Sequence, residues 1–257
     1  MININSVEKV NESRTGNLTI PLYDSYCFSN ICGSIKNLFD INSNKALPKD
    51  VIGNNQVVTN KVVFFLLDAF GWCFYDKYKN KSKFLCELEQ NGIVSKLTSQ
   101  FPSTTTAHVT TALSGEAVYE HGLYEWFYYE PKADDIITAF LFKEARNKNN
   151  NLMVPAGYCR DLFLHVKEDC LIELKDILEK KLSGVAEVYL FEELKDRGIF
   201  GKPNKRLLER VGNLVILPKE NNTVWWYEKD LFGVTFTGMH GGASKDEMEI
   251  PFLFYRF

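Results

Sequence analysis

The sequence predicts an α/β protein: a three-layer α/β/α sandwich with a largely parallel central sheet, one domain over residues 1–257 with a small α+β subdomain at 155–230. Three observations carry that expectation. The run Lys61–Leu67, KVVFFLL, is continuously apolar, β-branched and aromatic, and it stops abruptly at Asp68. Such a run reads as a strand buried on both faces with a carboxylate at its C-terminal edge, where open α/β sheets place their ligands. A hydroxyl-rich helix start, FPSTTT, follows a second strand-like stretch. Beyond residue 155, strand-like and helix-like patterns alternate.

Taken in order, Lys81–Gln90 reads as a short helix, Gly92 as a turn and Ile93–Leu97 as a strand. Ser103 or Thr104 is placed to cap a helix over Thr105–Ser114, with Gly115 closing it. Lys143–Asn151, KEARNKNNN, is polar and Asn-rich and reads as an exposed linker. In the subdomain, Arg160–Lys167, Ala186–Phe191, Asn213–Leu217 and Thr223–Tyr227 read as strands. Cys170–Leu182 reads as a helix with Leu171, Leu174, Leu178 and Leu182 on one stripe, and Glu192–Arg197 as a shorter one. Val234–Thr237 leads into GMHGG, then a capping box at Ser244 and Glu247 and the apolar run Ile250–Phe257.

The balance of 30 Lys and Arg against 33 Asp and Glu leaves a formal charge of -3, with no basic excess to neutralise a nucleic-acid backbone or hold an anionic membrane. A nucleic-acid duplex and a membrane are therefore not expected partners. Met1–Gly16 lacks the basic, apolar, small-residue order of a secretory signal, and the apolar stretch Val62–Phe74 is too short to span a bilayer, so a cytoplasmic location is expected. The six cysteines show no CxxC spacing and are expected as reduced, mostly buried thiols.

Three features bear on chemistry: Asp68 at a strand end, the hydroxyls Ser103, Thr104, Thr105 and Thr106 at a helix start, and His240 among glycines. A terminal carboxylate is a ligand type for a divalent cation, and a helix N-terminus favours a phosphate. Singly, each has a plain alternative: a turn cap, a helix cap, and a histidine packed between glycines.

Together, FFLLDAFGW, FPSTTTAHVTTALSGEAVYEHGL and FTGMHGGASKDEMEIPFL resemble the metal-aspartate strand, the nucleophile segment and the C-terminal metal-histidine segment of the alkaline phosphatase superfamily. The likeness is to its type I phosphodiesterase and nucleotide pyrophosphatase branch. The resemblance implies an alkaline-phosphatase-like domain and a metal-dependent phosphoesterase acting on a small phosphate ester or nucleotide. It implies two divalent ions, zinc by preference and manganese or magnesium otherwise. Asp68 matches a ligand of one metal, Thr105 the nucleophile that also bridges to that metal, and His240 a ligand of the other. A hydroxyl becomes a competent nucleophile when a cation lowers its pKa. His108 is expected to pack or hydrogen-bond, and His121 resembles the structural histidine of the family's HG turn.

The family's central segment, with an Asp and a His four residues on and then an Asp-His pair, has no counterpart here. No Asp-His dipeptide occurs in the chain. Either the protein is naturally shortened near KEARNKNNN or this chain lacks residues there. Asp161 and His165 have the right spacing, but on a strand they lie roughly 13 Å apart, too far for one ion. Asp134 and Asp135 are read as loop residues that could stand in. The alternative function is a catalytically impaired remnant of the same fold that binds a phosphate-bearing ligand or a protein partner.

Overall fold

A computed structural model describes residues 1–53, 58–132, 135–138, 156–225 and 237–256. The elements in chain order are α1 (Ile4–Glu12), β1 (Arg14–Thr15), β2 (Leu18–Thr19), α2 (Ile31–Leu38), α3 (Trp72–Tyr78), α4 (Lys83–Asn91), β3 (Ile93–Thr98) and α5 (Thr105–Ser114). They continue with α6 (Val118–His121), β4 (Phe127–Glu130), β5 (Asp135–Thr138), β6 (Ala156–Tyr158), β7 (Asp161–Leu164), α7 (Leu171–Lys181) and β8 (Ala186–Leu190). The last are α8 (Phe191–Asp196), α9 (Lys205–Arg210), β9 (Leu214–Pro218), α10 (Lys245–Met248) and β10 (Glu249–Phe254). Two compact units result: Met1–Gln100 with Thr111–Glu116 and Ser244–Phe257, and Phe101–Thr110 with Ala117–Ala243.

The first unit is built on β3. It pairs antiparallel with β10 from Ile93↔Phe254 to Thr98↔Glu249, while Ile2 and Cys27 bridge to it in parallel at Val94 and Thr98. Helix α1 starts where the Asn3 side chain accepts the Ser6 N–H, which satisfies one of the donors left open at a helix start. Val10 then joins Tyr26, Phe28, Ile31, Leu47, Val51 and Leu97 in one core.

Within the second unit β6, β7, β9 and β8 form an antiparallel sheet in that order. Leu162, Val188, Leu214 and Ile216 face a core that α7 covers with Leu171, Leu174, Leu178 and Leu182, the stripe the helical period predicts. Elsewhere in this unit Phe101, Phe163 and Phe200 are fully buried, with ring centroids 5.2 to 6.5 Å apart. Such aromatic clusters contribute burial and edge-on contacts together.

The architecture is mixed α/β, but every strand pair within the described sheets is antiparallel, which corrects the expected largely parallel sheet. Its expected nucleus is also corrected. Lys61–Leu67 pairs with no strand among the described residues, and Val63, Phe65 and Leu67 are 64%, 79% and 67% exposed. Strand β3, which follows it in the chain, pairs along its length with β10 and at single positions with Ile2 and Cys27 rather than with that run. The cysteines are free thiols, yet only Cys27 and Cys159 are buried, and Cys73 and Cys170 are exposed. Residues 223–225 are irregular rather than strand, and Lys143–Asn151, Asp134 and Val234–Phe236 lie outside the described residues. At Ser244 the expected capping box is a side-chain contact, the hydroxyl meeting the Glu247 carboxylate at 2.7 Å.

One buried ionic cluster ties β3 to β10. The Lys96 ammonium contacts Glu249 and donates to the Asn11 side chain at 2.9 Å, and Arg14 donates to the other Glu249 oxygen. Removing one partner of such a pair strands a charge in the core. Glu249→Ala is expected to lower unfolding free energy by about 3–5 kcal/mol in urea denaturation. The double change Lys96→Met, Glu249→Leu should cost much less. Equal losses in both would contradict this account of the cluster.

Candidate functional site

Residues 101–110 enter the second unit as a buried turn, Phe101–Pro102, followed by the first turns of α5. Thr104 is the capping residue. Its hydroxyl accepts the Ala107 N–H at 3.2 Å and donates to the Tyr124 carbonyl at 2.7 Å. Its one donor and one of its two acceptor sites are thus spent on structure. Thr106 is also buried. Thr105, the first residue of the helix, is the only half-buried one among the three consecutive threonines.

His240 lies next to Gly241, which forms an antiparallel bridge with Ser103, so the glycine-flanked histidine adjoins the start of α5 in sequence pairing. Gly241 has φ +111, and a Cβ there would stand 2.5 Å from the Asp161 carboxylate. Only glycine satisfies both the backbone angle and that approach. Asp161 is fully buried and accepts the Tyr158 N–H at 3.2 Å, and the Tyr158 ring lies nearly parallel to the His240 ring with centroids 6.4 Å apart.

The other histidines have structural surroundings. His108 Nδ1 contacts the Thr104 carbonyl at 2.7 Å. Buried His121 accepts the Leu123 N–H on Nδ1 at 3.0 Å, beside Gly122 at φ +68. Burial lowers its pKa to about 4, against the pull of the Ala107 backbone, and so keeps the ring neutral. His165 meets the Arg210 carbonyl and the Tyr129 ring, whereas Asp161 faces Gly241 and Tyr158.

Asp68 belongs to the first unit, is exposed, and accepts the Ala69 N–H at 2.9 Å, in the manner of a turn residue. Asp135 is the first residue of β5, opposite Glu130. Among the described residues no group of three or more His, Cys, Asp or Glu side chains is arranged to hold a metal ion. Zinc requires about four donors per ion. The described donors therefore do not fit two zinc ions.

The residue that sequence reasoning missed is Glu125. It is fully enclosed, and among the described residues neither carboxyl oxygen has a hydrogen-bond partner. Burial raises its pKa to about 8, with the adjacent Trp126 N–H acting the other way. Its signal in the sequence was a lone acid between two aromatic residues, Tyr124 and Trp126, which is an apolar setting for a charge.

A family profile described as Type I phosphodiesterase / nucleotide pyrophosphatase matches residues 62–156, the stretch that carries Asp68 and the threonines. The resemblance drawn from the sequence is borne out there, on the same branch. No curated protein and no solved structure matches the chain.

Glu125 generates a pH prediction. Below the ordinary carboxyl value of 4.5 the group is protonated folded or unfolded and contributes no slope. Between 4.5 and about 8 the unfolded chain is ionised while the folded one keeps its proton, so stability falls as pH rises. The expected slope is about 1.4 kcal/mol per pH unit. Urea denaturation of Glu125→Gln should lose that slope; a variant that tracks the wild type throughout would contradict the buried neutral acid.

Proposed function

We propose that the chain is a phosphoesterase of the phosphodiesterase or nucleotide pyrophosphatase type, with Thr105 as the attacking hydroxyl. The observation that carries this reading is the division of labour at the start of α5. Thr104 is committed to the cap, Thr106 is buried, and Thr105 alone is half-buried at the helix N-terminus. The match over residues 62–156 supports the reaction class.

In this reading the N-terminal end of α5 lies toward the phosphoryl oxygens, and its positive dipole end stabilises the charge that grows on them. The Thr105 oxygen forms a bond to phosphorus as the ester bond to the leaving alcohol breaks, and the hydroxyl proton passes to the departing oxygen or to solvent. Water then cleaves the phosphothreonine ester. Thr104 holds the helix start in place throughout, and His240, next to the Ser103 partner Gly241, stands on the neighbouring strand-like segment. By the resemblance, Asp68 and Thr105 would be ligands of one divalent cation and His240 a ligand of another, and these three donors alone do not fill two four-coordinate sites.

A second reading, a remnant of the fold that binds a phosphate ester without turnover, is favoured by one observation. The described acidic and histidine side chains form no metal-holding group.

The test is hydrolysis of bis(4-nitrophenyl) phosphate with zinc, manganese or magnesium added, together with elemental analysis of the purified protein. Activity is expected, falling at least about a hundredfold in Thr105→Ala, as loss of a covalent nucleophile does. Thr104→Ala is expected to cost about 1 kcal/mol of stability as a lost cap. Full activity in Thr105→Ala would exclude the covalent route. No turnover and no bound metal, with phosphate-ester binding retained, would select the remnant.

A further inference from the structure

Glu125 takes no part in the steps above, and a buried carboxyl without a partner calls for a physical reason. It directly follows Tyr124, the residue whose carbonyl receives the Thr104 hydroxyl. The titratable groups that face it are Tyr124, Tyr158 and Cys159, all held in their neutral forms chiefly by burial, with the Glu125 charge adding to the same effect. Asp161 acts on Tyr124 and Cys159 from the β7 side, and Arg210 acts on Tyr124 from α9. None of these groups donates a hydrogen bond to Glu125 among the described residues. The enclosure therefore suits a neutral acid. An anion there would have only the adjacent Trp126 N–H acting on it against the burial that disfavours charge, so its stable location is water.

We propose that Glu125 is a positioning residue for Thr105: as a neutral acid it keeps the Tyr124 peptide seated under the Thr104 hydroxyl, and as an anion it draws that peptide toward water and releases the helix cap. The proposal rests on Thr105 being the attacking hydroxyl, because Thr104 and the cap define where that side chain stands. The coupling runs through one bond at each step. Glu125 and the Tyr124 carbonyl share a peptide, the carbonyl holds Thr104, and Thr104 holds the Ala107 N–H. Arg210 anchors the following strand by donating to the Gly122 carbonyl and pairing with Glu130, so movement is confined to the residues between them.

The test has a readout that does not need turnover: hydrogen exchange of the Ala107 amide, corrected for its intrinsic pH dependence, in the full chain. In the wild type its protection is expected to drop roughly tenfold across about pH 8, in step with loss of the protonated-carboxyl infrared band that Glu125→Gln lacks. Glu125→Gln, or Glu125→Leu should the amide variant fail to fold, should keep protection at both ends. Wild-type phosphodiester hydrolysis should lose kcat over the same range with little change in KM, and the Gln variant should not. The same fall in exchange protection in all variants, or no fall in the wild type, overturns the proposal. Absence of hydrolysis in every form, with the exchange pattern intact, would count against the phosphoesterase reading alone.

Discussion

The Thr104 hydroxyl is the constraint on which the candidate site depends. One oxygen accepts from Ala107 and donates to Tyr124, so a helix cap and a tertiary tie are made by the same atom. A capping bond alone is worth about 1 kcal/mol. Here it also fixes which of three adjacent hydroxyls is structural and which is half-buried. Tyr124 is held in turn by its own hydroxyl, which donates to the Arg210 carbonyl, and by its ring edge against Phe163 at 5.1 Å. The start of α5 is thus referenced to the aromatic core of its unit rather than to a loose loop.

Glycine does comparable work beside His240. At Gly241 the positive φ and the closeness of the Asp161 carboxylate leave no space for a side chain. The GMHGG pattern was legible as backbone that must approach something. What it approaches, a buried Asp161 that also holds the Tyr158 N–H, was not, because that contact joins residues about eighty positions apart. The sequence marks Asp161 only through its spacing from His165, and the two side chains have different neighbours.

Local signals are legible in the sequence. The bounds of α5, the leucine stripe of α7 and the strands β3, β8 and β9 follow from periodicity, capping hydroxyls and glycine stops, which act over a few residues. Sheet topology is not, since pairing depends on which edges are free. Lys61–Leu67 has the composition of a core strand, yet β3 pairs with β10 and bridges to Ile2 and Cys27 instead, and the run stands exposed. Composition states how a segment would behave if paired on both sides, and does not state that partners exist. The same limit applies to Glu125: the sequence shows an acid between aromatics, whereas its complete enclosure is a property of the folded chain.

The central claim is that Thr105 is the hydroxyl that receives phosphate. The most direct measurement is an acid quench during turnover of a nitrophenyl phosphate ester, followed by proteolysis and mass spectrometry of the peptide spanning Phe101–Ser114. The account predicts a phosphate on Thr105, absent when the ester is omitted. Phosphate on Thr104 or Thr106 instead, or product release with the peptide unmodified at every time point, would contradict it.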